Sequence, residues 1–482
     1  MTINILPDDV LVLIFHFDRA SFLDGQEDDR VTYFGGLEDA DRLWRLSWRW
    51  HGLVHVCQRW RSVIFASPNF LDLSLVCRPW TRVELISIWP PLPIIIMDMV
   101  NWPMPEDYDF DAAVMHPNRV CEVVLLYLTS SQLQRLALAM QEQFPTLIHL
   151  ILGSTSPTSN HSHPAPTPAL PDGFLGGSIP RLQSLSLHSI PFPALPKLLL
   201  SATDLVRLSL RNIPHSGYIS PEAIISGLAG SANLKSLTVA FKSPLSCPDR
   251  KGRRSPPPQT RTVLPALIRF EFQGASEYLE DLLARIDTPM LNSIWVTLFS
   301  QLLFDIPQIS QFMERTITFN EAHVDFDYNG IQVESPSSTQ TSNETSGLRI
   351  SCRELDWQLS SLAQVTTSFF PSIYTVEHLY IAGSLHLPSQ WQDDVENMQW
   401  LEVFHPFLAV KNLYVSKEFA RCIALALQEL VGERAGDVLP ALETLFLEGL
   451  RPSGPVKEAI GQFVAARQLL GHSVAVSDWN RA

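Results

Sequence analysis

Arg181-Leu182-Gln183-Ser184-Leu185-Ser186-Leu187-His188, and then Leu205-Val206-Arg207-Leu208-Ser209-Leu210-Arg211, decide the reading of this 482-residue chain. Each carries L-x-x-L-x-L. The last two leucines alternate with polar residues, as in a strand that buries one face, and the first, two positions ahead of the strand, fills the corner of a turning chain. The template recurs at Val120-x-x-Val123-x-Leu125, Leu147-x-x-Leu150-x-Leu152, Leu234-x-x-Leu237-x-Val239, Leu267-x-x-Phe270-x-Phe272 and Leu291-x-x-Ile294-x-Val296. It returns at Val376-x-x-Leu379-x-Ile381, Val410-x-x-Leu413-x-Val415 and Leu442-x-x-Leu445-x-Leu447. Starts from 120 to 291 lie 27, 35, 23, 29, 33 and 24 residues apart. Self-similarity at such a step marks an array in which each unit hides its apolar side against its neighbours.

Between the strands the sequence reads as helix at 130–144, 194–201, 221–230, 276–286, 307–314, 357–369, 417–431 and 455–470. Ser220-Pro221-Glu222 and Ser416-Lys417-Glu418 are start signals. The spacing resembles leucine-rich repeats in degenerate form, since the asparagine that usually follows the strand is mostly missing and Asn212 is the nearest match. The expected fold is α/β: an irregular solenoid over 76–452, with parallel strands on the concave side and helices on the convex side, ended by a helical cap over 453–482. Residues 318–352 break the pattern. Ala322 to Asp327 alternates, Tyr328-Asn329-Gly330 is a turn, and 331–333 and 348–352 read as return strands of an antiparallel meander. Residues 154–173, 243–262 and 335–347 are too polar and too rich in proline or serine to pack, and are expected to be flexible loops.

Composition narrows the function classes. The net charge of -15, from 35 basic and 50 acidic side chains, argues against nucleic acid as a partner. Six scattered cysteines contain no C-x-x-C pair, so reduced thiols are expected rather than a zinc site or a disulfide framework. The apolar run 86–100 is cut by Pro90, Pro91, Pro93 and Asp98 and falls short of the ~20 residues a membrane span needs. The start, MTINILPDDV, lacks the basic and apolar regions of a signal peptide. Together these point to a protein of the cytoplasm, the nucleus or both, with no membrane partner.

The partner-specific signal lies at the front. In Leu6-Pro7-Asp8-Asp9-Val10-Leu11-Val12-Leu13-Ile14-Phe15, proline and two acids open a helix whose Val10, Leu11, Ile14 and Phe15 form an apolar face. A second stripe, Leu43, Leu46, Trp50, Leu53, Cys57, Trp60 and Ile64, reads as one helix ending near Pro68. The two pieces, with Leu53-Val54-His55-Val56-Cys57-Gln58-Arg59-Trp60 and the following S-P-N-F-L, resemble the F-box of fungal F-box proteins with leucine-rich-repeat-like bodies. That resemblance implies a helical module over 1–75, docked on a Skp-type adaptor and through it on a cullin, with the repeat body binding a client protein. Carried over by position, Leu6, Pro7, Val10, Ile14, Phe15, Leu53, Val54, Cys57 and Trp60 would contact the adaptor or hold the helices in place. The departure from the family is an acidic insert, 18–42, which reads as a solvated loop.

No P-loop, G-x-G-x-x-G, H-E-x-x-H or G-x-S-x-G is present, so a non-catalytic receptor without cofactor or metal is expected. The alternative is a plain interaction scaffold whose N-terminal helices only cap the array. The basic run Arg250-Lys251-Gly252-Arg253-Arg254 reads as a loop tip or a nuclear-import patch. His161 and His163 lack further ligands at metal spacing. The sequence identifies no client. Trp391 and Trp400, in the polar segment 384–400, are the candidates for client contact, because tryptophan is enriched at binding hot spots.

Overall fold

The computed structural model describes residues 5–20, 50, 52–68, 70–71, 73–77, 86, 91–98, 110–154, 167–246, 260–301, 304–316, 320–335, 346–369, 371–383, 397–430, 434, 436–449 and 453–480. The chain divides into two compact units: Met1–Ile219 with Ser226–Asn233, and Ser220–Ile225 with Leu234–Ala482. It is a mixed α/β structure with mostly parallel strands.

The first unit opens with helices α1 (Asp8–Ala20) and α2 (Gln58–Ala66). There follow β1 (Leu75–Cys77), β2 (Ile94–Asp98), α3 (Asp111–Val114), β3 (Val120–Leu128), α4 (Ser130–Ala139), β4 (His149–Ser154), β5 (Ser184–His188), α5 (Leu195–Leu199) and β6 (Arg207–Ile213). The strands lie side by side in chain order and run parallel. The template positions fall in register: Val123, Leu150, Leu185 and Leu208 form one row, and Leu125, Leu152, Leu187 and Leu210 the next. None of these eight exceeds 3% exposure. Each strand alone offers half a core; the rows make it continuous. The following helix begins by a reciprocal cap, with the Thr129 hydroxyl accepting from the Gln132 N–H and the Gln132 side chain accepting from the Thr129 N–H.

One expectation fails at the front of this unit. The stripe read as a single helix up to Ile64 breaks at His55–Cys57. Cys57 is extended (φ -160°, ψ 168°), and its Sγ accepts from the Trp60 N–H at 3.5 Å to start α2. The reason is packing. Val54 and Val63 both sit in one apolar cluster, yet nine residues apart on a straight helix they would point in opposite directions. The turn at 55–57 brings both inward.

A helix, α6 (Pro221–Leu228), carries residues of both units. The second unit then contains β7 (Ser236–Phe241), β8 (Thr262–Val263), β9 (Arg269–Gly274), α7 (Ser276–Leu283), β10 (Ile286–Asp287), β11 (Ser293–Phe299) and α8 (Pro307–Thr316). The meander follows: β12 (Glu321–Asp327), β13 (Gly330–Ser335) and β14 (Ser346–Ser351). Last come α9 (Leu355–Phe369), β15 (His378–Gly383), α10 (Asn397–Phe404), β16 (Asn412–Val415), α11 (Ala420–Gln428), β17 (Thr444–Glu448), α12 (Pro455–Leu469) and β18 (Ala475–Trp479). β8 and β10 pair only with each other.

Here too the template residues line up. Leu237 pairs with Phe270 and Phe270 with Ile294; Leu379, Leu413 and Leu445 form a second such row. The meander forms as read, but inside out. The strand order is β11-β14-β13-β12-β15, so the first strand of the meander lies farthest from β11 and the last lies beside it. The C-terminal segment, expected to be a helical cap with its helix at 455–470, adds β18 after that helix, parallel to β17. Among the described residues no helix is long and apolar enough to cross a membrane, and no three His, Cys, Asp or Glu side chains gather as metal ligands.

Candidate functional site

Two faces of α1 meet different surroundings. Leu11 and Phe15 turn inward and join Trp50, Val54, Val63, Ile64 and the residues that lead into the strands, Leu71, Leu73 and Leu92. Phe15 meets the Trp60 ring at 4.9 Å between centroids. Arg59 fastens the first turn: its guanidinium donates to Asp8 Oδ1 from Nε at 2.9 Å and from Nη2 at 2.7 Å, and also to the Leu6 carbonyl. Arg61 Nε donates to the carbonyl of Val54 at 3.0 Å, which holds the turn between the helices. The acidic start of α1 is thus paired with a cation from α2 and sits where negative charge suits a helix N-terminus.

The opposite face of α1 is apolar and open. Val10, Leu13, Ile14 and Phe17 follow the i, i+3, i+4, i+7 rule and share one stripe about 100° wide. Leu13 is 47% exposed, Ile14 39% and Phe17 66%. Phe70 is exposed as well and stands beside α1, its ring 4.7 Å from that of His16. Ile5 and Val56 add exposed apolar surface before α1 and in the turn ahead of α2. Single exposed hydrophobes are ordinary, but an apolar stripe along one ordered helix, with an aromatic beside it, is the kind of surface that partners cover.

The positions carried over from the family motif divide accordingly. Ile14 and Pro7 are exposed; Leu6, Val10, Leu53 and Trp60 are half-buried; Phe15 and Val54 are buried, so their part is to hold the helices. Cys57 caps α2. The indole N–H of Trp60 and Nδ1 of His16 are enclosed without a hydrogen-bond partner. Sequence reasoning missed Leu13, Phe17 and Phe70. The first two were legible as the i+3 and i+7 neighbours of Val10; Phe70 was not, because it reaches α1 only through the fold.

Trp400 is not a client contact. It is 1% exposed, packed among Phe326, Phe404 and Phe419 with ring centroids 5.4 to 6.1 Å away. The polar sequence around it hid a core residue: Trp400 turns inward with Leu401, Val403 and Phe404. Trp391, His161, His163, the basic run at 250–254 and residues 21–42 of the acidic insert lie outside the described residues. No family model matches the chain, and no curated protein matches it.

Proposed function

We propose that the chain is the client-recognition subunit of a Skp–cullin–F-box ubiquitin ligase. In this reading α1 and α2 form the F-box module and dock a Skp-type adaptor that hangs the protein from a cullin. The repeat array acts as an irregular leucine-rich-repeat-like solenoid that holds the client. The protein performs no chemistry of its own; it raises the concentration of a client near the ubiquitin-carrying enzyme, which is an effective-concentration effect. Such a complex works in the cytoplasm or the nucleus. The observation that supports this reading most is the outward stripe Leu13, Ile14 and Phe17 on a helix whose other face is already satisfied by the chain itself.

The test is affinity capture of the intact protein beside an Ile14→Asp, Phe17→Asp variant. Both residues are exposed, so the variant keeps its fold, which circular dichroism checks. Adaptor and cullin are expected with the wild type and at least about 30-fold less with the variant, as for loss of a central hot spot. Equal recovery with both forms, or recovery with neither, refutes the reading. A second reading rests on the continuity of the N-terminal cluster with Leu73 and Leu92: α1 and α2 would then cap the first strands of a plain scaffold. It expects no adaptor with either form.

A further inference from the structure

The solvent-facing side of the strands in the second unit carries an aromatic row. On β12, β15, β16 and β17, alternate residues bury toward the helices, and the residues between them share the other face. His323 pairs with Tyr380, Tyr380 with Tyr414, and Tyr414 with Phe446, so four rings stand in one register row. They stack face to face, with centroids 4.3, 4.2 and 4.4 Å apart and planes within 23°. Trp479, from β18, leans across Tyr380 and Tyr414 at 6.2 and 5.6 Å. All five are half-buried rather than enclosed.

The row continues across the meander with a change of character. Opposite His323 stands Glu334, next to it Gly347, then Trp295, then Glu271. Gly347 is there for a steric reason: a Cβ would come within 2.8 Å of the Trp295 ring, so glycine lets the indole lie over the strand. Asp325 and Glu321 belong to the same face of β12. Of the cations on this face, Arg349 is tied to Asp327 at 2.7 Å, and Arg269 lies at the edge of the row. Carboxylates therefore outnumber cations beside the rings. Burial and, after it, the nearby Asp325 hold the Glu334 carboxyl above the usual carboxylate range.

We infer that this row is a docking track for an extended, arginine-rich peptide segment of the client. The inference rests on the client-receptor reading above and names the chemistry of the client. Guanidinium groups stack on indole and phenol rings and pair with carboxylates in planar forks, and their aliphatic stems cover apolar ring edges. The eight strands from β9 to β17 span about 34 Å at the usual inter-strand spacing, which an extended chain of about ten residues crosses. Nucleic acid phosphates would meet the carboxylates of Glu271, Asp325 and Glu334, which disfavours that occupant.

Fluorescence anisotropy on the full-length protein tests this with labelled ten-residue peptides alternating Arg and Leu, Lys and Leu, Glu and Leu, or Ser and Leu. A single-stranded RNA decamer and a neutral hexasaccharide complete the panel. The Arg peptide is expected to bind saturably, ahead of the Lys peptide and weakening as salt rises, with the Glu and Ser peptides, the RNA and the saccharide at background. Asp325→Asn with Glu334→Gln removes charge without removing packing; it should weaken Arg-peptide binding at least about tenfold while thermal unfolding shows the fold intact. Absence of Arg-peptide binding, equal binding of the Glu or Ser peptide, preference for RNA or saccharide, or an unchanged affinity in the double variant overturns the inference. The two readings separate cleanly. The carboxylate variant should still capture adaptor, and the Ile14→Asp, Phe17→Asp variant should still bind the peptide.

Discussion

Tyr380 is a residue whose surroundings change its chemistry. Burial, the neighbouring Tyr414 and Glu321, and a hydrogen bond with Tyr414 push its phenol up to about 12 from the ordinary 10.0. The folded state keeps this proton at a pH where the unfolded chain has lost it. Its contribution to stability is therefore complete below pH 10 and disappears as pH rises toward 12. Tyr380→Phe cannot ionise, so the variant's stability should fall less between those values than the wild type's, read as the difference between their alkaline urea-unfolding curves. Arg467 makes a second test. It is 0% exposed, and its Nη2 donates to the carbonyls of Leu439 and Pro440 at 3.0 and 3.1 Å. Arg467→Met keeps the stem but leaves those carbonyls without this donor, and should cost about 2–3 kcal/mol in urea unfolding, with little change in slope.

Helix α8 shows how elements depend on one another. Glu280, on α7 and 7% exposed, accepts the N–H groups of Gln308 and Ile309 at 3.0 and 2.9 Å, so a carboxylate from one helix caps the start of the next. Glu280→Ala should cost about 2 kcal/mol, and Glu280→Gln less, because one acceptor oxygen remains. Differential scanning calorimetry of the two variants checks the order. Capping of this kind is invisible in sequence, since the donor helix and the cap are separated by two strands. What was legible is the strands that carry the template, each hit lying on one, because the leucine spacing expresses a local need to bury one face and fill a corner; β1, β2, β8 and β10 carry no hit and were not read. The helical intervals were legible for the same reason. Helices α3 and α10 were not read, and three further features were hidden. The break before α2 depends on which cluster Val54 and Val63 share. The inverted strand order depends on pairing choices that alternation leaves open. β18 has its first two residues exposed and no leading leucine, so it carries too little apolar pattern to announce itself. Of the candidate site, Val10, Leu11, Ile14 and Phe15 were read as one apolar face, whereas the fold turns Leu11 and Phe15 inward and leaves Val10 half-buried and Ile14 exposed, because a helix apolar on more than one side does not say in sequence which side the chain will cover.

At the scale of the whole molecule, the array of the second unit ends on β18. That strand pairs with β17 and supplies the Trp479 ring, while Val476 is 38% exposed. Short edge strands with a charge, here Asp478, discourage pairing with other chains. Truncation after Leu470 should therefore expose the edge of β17, lower the melting temperature and produce concentration-dependent association, measured by light scattering on a sizing column.

The inverted meander bears on how the molecule assembles in time. Because three strands alternate in direction, the polarity of the sheet is the same on both sides of them, and parallel pairing resumes at β15 as though nothing had been inserted. The cost is kinetic. A bond that joins the meander to its neighbour, from the Ile294 N–H to the Ser346 hydroxyl, closes a loop of 52 residues, whereas Gln273 reaches Phe241 and Asn412 reaches His378 across 32 and 34. Longer closures are slower and leave strand edges open for longer. Pulse-labelled hydrogen exchange during refolding should show β11, β14, β12 and β15 protected last, with zippering on either side waiting on this one seam.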